Sequence, residues 1–212
     1  MKVIDDGVIK YDRSNFTHSG PIDLVEYSGI EYWRKILFKL NLIGEYKDAR
    51  IGFGNLSESR DYSQIFKNTL PQFLITGTQT GKYSELDGNF YTRILDYDIS
   101  AQKIKTMGPV EASSEALTHA AIYSANNKIK SVFHIHSPKI WEAMLDDNSD
   151  FTAENIAYGT AEMAVATQKC IAHKNFGFFC MRGHTDGVVA YGQNLIETGE
   201  IILDACHKYN LT

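Results

Sequence analysis

His134 and His136 close an apolar run, Ile129-Lys130-Ser131-Val132-Phe133-His134-Ile135-His136, that reads as a β-strand. Side chains alternate between the faces of a strand, so the two imidazoles project from the same side, close enough to share one metal ion. Imidazole is the commonest protein ligand for such ions. Two other groups extend the set: Glu115 upstream, in Ser113-Ser114-Glu115, and His184 downstream, in Arg182-Gly183-His184-Thr185-Asp186-Gly187. Three neutral nitrogens with one carboxylate make a catalytic set, because structural zinc sites lean on cysteine. Alone, a histidine pair on a strand would serve packing equally well. The company it keeps favours the metal.

Glu115 has two readings. At the start of a helix a carboxylate is favoured by the helix dipole. Beside a metal it would act as a general base, with the cation lowering its pKa and desolvation raising it. His119 lies one turn further along the same helix face, either supporting the site or packed in the core. Asp186 could orient the His184 imidazole, since ligating histidines commonly give their second N–H to an acceptor. Two short polar stretches, Gly54-Asn55-Leu56-Ser57 and Thr76-Gly77-Thr78, read as loops after strands. Such loops present N–H and hydroxyl donors to an anion, or serve as plain turns. Ser113 and Ser114 add two hydroxyls at a helix start, a better anion site.

The elements that must position these groups follow from periodicity. Apolar residues at Leu24, Ile30, Trp33, Ile36, Leu37 and Leu40 give the spacing of an amphipathic helix over 22–42, with Gly44 as its stop. Phe73–Thr76 reads as a strand, and 90–97 with 103–107 as a hairpin. A helix is expected over 115–125, capped by serine. The histidine strand follows, then a short helix from Pro138 through Leu145, since proline suits a first turn. A helix over 161–172, strands at 177–181 and 187–191, and a closing helix from Leu195 to about Tyr209 complete the chain. Residues 1–20 form a leading strand or arm. Helices and short strands alternating without repeats or linkers predict one α/β layered domain over 1–212.

Bulk properties exclude several partners. The net charge of −5 argues against nucleic acid, which wants a basic surface. No apolar run approaches the ~18 residues that span a bilayer, so no membrane partner is expected. The opening Met1–Gly7 lacks the apolar stretch of a secretion signal. Cys170, Cys180 and Cys206, odd in number and widely spaced, read as reduced thiols of a cytoplasmic protein.

The order Gly54-Asn55-Leu56-Ser57, Leu74-Ile75-Thr76-Gly77-Thr78, Ser113-Ser114-Glu115 with His119, His134-Ile135-His136-Ser137 and Gly183-His184 resembles the class II (zinc-dependent) aldolase/adducin family over roughly 22–209. The resemblance implies a three-layer α/β/α fold around a mixed, largely antiparallel sheet. It implies zinc held by His134, His136 and His184, with Glu115 as a further ligand or the acid/base. It implies a phosphate pocket drawn from Asn55, Ser57, Thr76, Gly77, Thr78, Ser113 and Ser114. The family's second loop commonly reads Ile-Thr-Pro-Ser/Thr-Gly, whereas this chain has Ile75-Thr76-Gly77-Thr78-Gln79 and delays the next glycine to Gly81. The tyrosine that those aldolases use as proton donor has no counterpart matched by position. Family members are often tetramers, so a homo-oligomer is implied.

The expected function is a metal-dependent lyase, cleaving a C–C bond of a small hydroxy-carbonyl compound such as a sugar phosphate through a zinc-stabilised enediolate. Other divalent ions would also suit the ligands. Two alternatives stand beside it. One is dehydration, epimerisation or decarboxylation on the same framework. The other is a non-catalytic, adducin-like scaffold, which loss of ligands would mark.

Overall fold

The computed structural model describes residues 7–147 and 149–211. The chain forms strands β1 (Phe16–His18), β2 (Gly44–Tyr46), β3 (Ile51–Phe53), β4 (Asn55–Ser59), β5 (Phe73–Thr76), β6 (Tyr91–Asp98), β7 (Lys103–Gly108), β8 (Ser131–His136), β9 (Phe151–Thr152), β10 (Gly177–Met181) and β11 (Gly187–Gly192). Its α-helices are α1 (Leu24–Lys39), α2 (Ala116–Ala125), α3 (Pro138–Asp146), α4 (Ala161–Ile171) and α5 (Leu195–Lys208).

Nine strands make one sheet in the order β1-β7-β6-β5-β4-β8-β11-β10-β9. Only the two edge pairings, β1 with β7 and β9 with β10, are parallel. The sheet is therefore mixed and largely antiparallel, as expected. Helices cover both faces. Leu117, Ala120 and Tyr123 of α2 and Met163 and Ile171 of α4 pack on Phe73, Ile75, Val132 and Val189. On the other face, Trp33 and Leu37 of α1, Ile140 of α3 and Ile202 of α5 pack on Leu56, Phe133, Ile135 and Val188. Burial of these apolar side chains is the main driving force for the arrangement, at about 25 cal/mol per Å² of apolar surface.

β8 lies at the centre and is buried along its whole length. Its odd residues Phe133 and Ile135 feed one core, and Val132 feeds the other. Continuing that alternation, His134 and His136 stand on the α2 side. Pro138 opens α3 directly after β8, with Ser137 accepting from Ile140 N at 3.3 Å.

Several boundaries differ from expectation. The first helix ends at Lys39, and the chain turns through Asn41 at φ 57 rather than at Gly44, which begins β2. Gly54-Asn55-Leu56-Ser57 is not a loop. Gly54 takes φ +81, where a side chain would also collide with Ile43, and Asn55 starts β4. Thr76 ends β5, and Gly77 extends it through a bridge to Ala112. Of the expected N-terminal arm, Phe16–His18 forms an edge strand, while residues 1–6 lie outside the described residues. No helix among the described residues is long and apolar enough to cross a membrane.

Candidate metal centre

The site is built at the end of β8. Asn55 on β4 pairs across from His134, and Gly187 on β11 pairs across from His136. His184 sits in the turn between β10 and β11. That turn is tied down by Gly187 N donating to His184 O at 2.9 Å, and by Ser137 N donating to the Asp186 carbonyl at 2.9 Å. Asp186 thus fixes the turn through its backbone, in the left-handed conformation at φ 68. Gly187 makes room for two rings: a Cβ there would stand 2.5 Å from His184 Cδ2 and 3.1 Å from His134 Nε2.

The three histidines converge. Their donor atoms all lie within 4.8 Å of one another, and all three residues are buried. Nε2 of His136 and Nε2 of His184 are 3.1 Å apart, and Nε2 of His134 is buried with no hydrogen-bond partner. Burial, reinforced by His184 and His134 alongside, pushes His136 well below the ordinary imidazole pKa. The ring is neutral at pH 7 and keeps a lone pair to offer. An orphaned buried nitrogen among clustered imidazoles fits a divalent cation of the zinc type.

Glu115 is placed differently from the expected fourth ligand. It is the N-cap residue of α2 and lies outside the three-histidine cluster. Its Oε2 is 2.9 Å from Nδ1 of His134, close enough to pair electrostatically. Both carboxylate oxygens are buried. Burial raises the pKa of this carboxyl, but His134, followed by His184 and His119, outweighs that and lowers it to about 2. The result is a buried, ionised base beside a ligand ring. Ser113 caps its backbone, accepting from Glu115 N at 3.3 Å.

One cavity joins these groups. It is lined by Asn55, Ser113, Ser114, Glu115, His134, His136 and His184 together with Gly7, Phe53, Gln79 and Tyr158, and it holds about 20 Å³ of free space. That is room for about one water or ion. Gly7 lies against the Gln79 side chain at the mouth. Tyr158 stacks 4.6 Å from the His184 ring, accepts from Val8 N at 3.3 Å, and carries the Lys10 ammonium 3.9 Å above its own ring.

Four expected anion-binding residues do not line this cavity. Ser57 is spent in the core, 2.7 Å from both His119 Nδ1 and Tyr123 Oη. His119 is thereby a packed residue, lowered to about 3 by burial and kept neutral. Thr76 Oγ1 accepts from Leu56 N at 3.2 Å. Gly77 lies under Val110, and Thr78 is drawn to the Glu111 carbonyl through its backbone N–H. Ser57, Thr76 and Gly77 belong to strands or a strand extension, whereas Thr78 stands in the turn that follows. Tyr158, Phe53 and Tyr46 went unnoticed in the sequence, and Gln79 was met only as part of the loop that departs from the family pattern. The positive-φ residue Gln79 follows a glycine-bearing turn and could have been suspected; the aromatic residues gave no periodic signal.

The chain belongs to the class II aldolase and adducin family: a profile of the Class II Aldolase and Adducin N-terminal domain matches residues 41–203. Solved structures of the same fold include L-fuculose-1-phosphate aldolase from Thermus thermophilus, at 18% identity and TM-score 0.62, covering 89% of this chain and 93% of that one. A sugar-phosphate aldolase from Thermotoga maritima matches at 15% identity and TM-score 0.60, over 86% and 94% of the two chains. YgbL from Escherichia coli, a candidate aldolase/epimerase/decarboxylase, matches at 17% identity and TM-score 0.65, over 88% and 89%. No curated protein matches the sequence at a significant level.

Proposed function

We propose that this protein is a metal-dependent lyase that cleaves a C–C bond beside a carbonyl in a small hydroxy-carbonyl compound, with sugar phosphates the first class to test. The observation that carries this reading is the buried cluster of three histidines with the Glu115 carboxylate 2.9 Å from Nδ1 of His134. His134, His136 and His184 would hold the ion, with Zn²⁺ favoured by the nitrogen donors and other divalent ions able to replace it. When bound, the ion supplies Lewis-acid polarisation of the substrate's oxygens.

The remaining chemistry belongs to the chain. Glu115, buried beside His134, takes a proton from substrate and returns it. Ser113 and Ser114 present hydroxyl donors at the N-terminus of α2, suited to a phosphate or a carboxylate, and Asn55 of β4 lines the same cavity with its Nδ2 3.2 Å from Nδ1 of His134. The two structural relatives named as aldolases support the reaction class by analogy of fold.

Dehydration, epimerisation or decarboxylation would use the same base, and the likeness to YgbL, described as a candidate aldolase/epimerase/decarboxylase, keeps the last two in view. A bare scaffold is disfavoured, since all three expected histidine ligands are present and converge. A homo-tetramer is the assembly proposed from the family, measurable by light scattering. The test of function is a panel of ketose and aldose phosphates and hydroxy acids incubated with metal-loaded protein, with products separated chromatographically. Release of two smaller carbonyl compounds that together hold every carbon of the substrate supports the lyase. A product of unchanged carbon number, loss of water alone, or loss of carbon dioxide would replace it with the second reading.

A further inference from the structure

β2 and β3 form a two-stranded ribbon apart from the main sheet, with Gly44 opposite Phe53 and Tyr46 opposite Ile51. Its tip, residues 47–50, is exposed. Its aromatic residues turn toward the histidine cluster. The Phe53 ring lies 5.2 Å from that of His136, and Tyr46 stacks 4.6 Å from Phe53. The Tyr46 hydroxyl reaches Nδ1 of His136 at 2.7 Å.

This placement is rigidly supported. The short turn Thr80–Lys82 lies so close to β3 that a Cβ on Gly81 would stand 1.9 Å from the Phe53 carbonyl oxygen. Only glycine permits that approach. The turn is held from behind by Arg34, whose Nη2 donates to the carbonyls of Thr80 and Tyr83. Arg34 is 1% exposed and paired with Glu31 at 3.3 Å. Glu31 in turn accepts from Tyr91 Oη at 2.7 Å and Leu86 N at 2.9 Å. A fully connected buried network of this kind fixes what it touches. The Tyr46 phenol is thus anchored, through the ribbon and the turn, to α1.

Imidazole chemistry gives that anchoring a purpose. A neutral ring carries one proton, and the nitrogen opposite it is the lone-pair donor. Nε2 of His136 faces Nε2 of His184 in the cluster, so a metal-binding His136 must carry its proton on Nδ1. The group beside Nδ1 must then accept.

We propose that Tyr46 is a positioning residue for the metal centre: its phenol oxygen accepts the Nδ1–H of His136 and fixes that ring as an Nε2 donor. The inference rests on the metal reading above and deepens it, by naming a residue outside the three ligands that sets their affinity.

The experiment uses the full chain, stripped of metal, with Zn²⁺ titrated against a chromophoric chelator. Wild type and Tyr46→Phe are compared, and ¹⁵N imidazole spectra of the metal-free wild type report which nitrogen of His136 is protonated. Loss of such an outer partner lowers metal affinity by about 10–100-fold. That loss in Tyr46→Phe, with a proton on Nδ1 in wild type, is the expected result. Equal Zn²⁺ affinity in the two proteins overturns the role of Tyr46 and leaves the metal reading standing. No Zn²⁺ binding by wild type overturns the metal reading and this inference together. Should the variant fail to fold, the wild-type spectrum still decides: a proton on Nε2 of His136 contradicts the proposal.

Discussion

Nε2 of His136 and Nε2 of His184 lie 3.1 Å apart, although β8 and the β10–β11 turn bring them from distant parts of the chain. Two imidazole nitrogens in that geometry either share one proton or share one cation. His134, with its orphaned nitrogen, makes the cation the better account. On the proposed function, Glu115 beside His134 would divide the labour, with the histidines binding and the carboxylate transferring the proton.

That division is testable at Glu115. Glu115→Gln keeps the volume and removes the base, so it should retain full metal content and lose at least ~10²-fold in turnover. Metal analysis and product assay on the same preparation check both halves. A variant with normal turnover would remove Glu115 from the chemistry.

Ser57 should behave as a core residue. Ser57→Ala strands His119 Nδ1 and Tyr123 Oη, both buried, and should lower stability by about 1–3 kcal/mol in urea unfolding. Its KM for a phosphorylated substrate should match wild type, whereas Ser113→Ala and Ser114→Ala should raise it. A raised KM in Ser57→Ala would return that hydroxyl to the substrate pocket.

Removing one partner of the buried pair between Glu31 and Arg34 leaves the other uncompensated. Glu31→Ala should cost about 3–5 kcal/mol, because the Arg34 charge, Tyr91 Oη and Leu86 N all lose their acceptor. Equilibrium denaturation measures it. A cost near zero would show that the network does not hold the turn beneath the ribbon.

The pair formed by Glu26 and Arg93 carries a pH signature. Burial raises the Glu26 carboxyl, but hydrogen bonds from Arg93 and Tyr62, with the charges of Arg93 and Arg60, outweigh it, and the pKa is lowered. A depressed carboxyl stabilises above its unfolded pKa of about 4.3, and this stabilisation fades as pH falls through the folded value. Arg93→Met should therefore be less stable than wild type at pH 7, with the gap narrowing toward pH 3. Urea midpoints across that range test the sign. A gap that widens on acidification contradicts it.

Much of this structure was legible in the chain. Phe73–Thr76 and Gly177–Met181 stand at their expected bounds, because short apolar runs bracketed by polar turns mark buried strands well. The histidine set was legible because alternation along β8 is strict. β4 was not: Asn55 and Ser57 face inward from a strand, and polar residues at inward positions mimic a loop. Their polarity answers buried partners on β8 and α2, which no local pattern reveals. The ribbon bearing Tyr46 has strands of three residues, too short for any period to emerge.

The most direct test of the metal centre is elemental analysis of purified protein, wild type beside His134→Ala/His136→Ala, after loading with zinc and removing the excess. About one zinc per chain in wild type and none in the double variant is the expected result. Wild type that retains no metal, or a double variant that retains as much, would contradict the assignment of these histidines as its ligands.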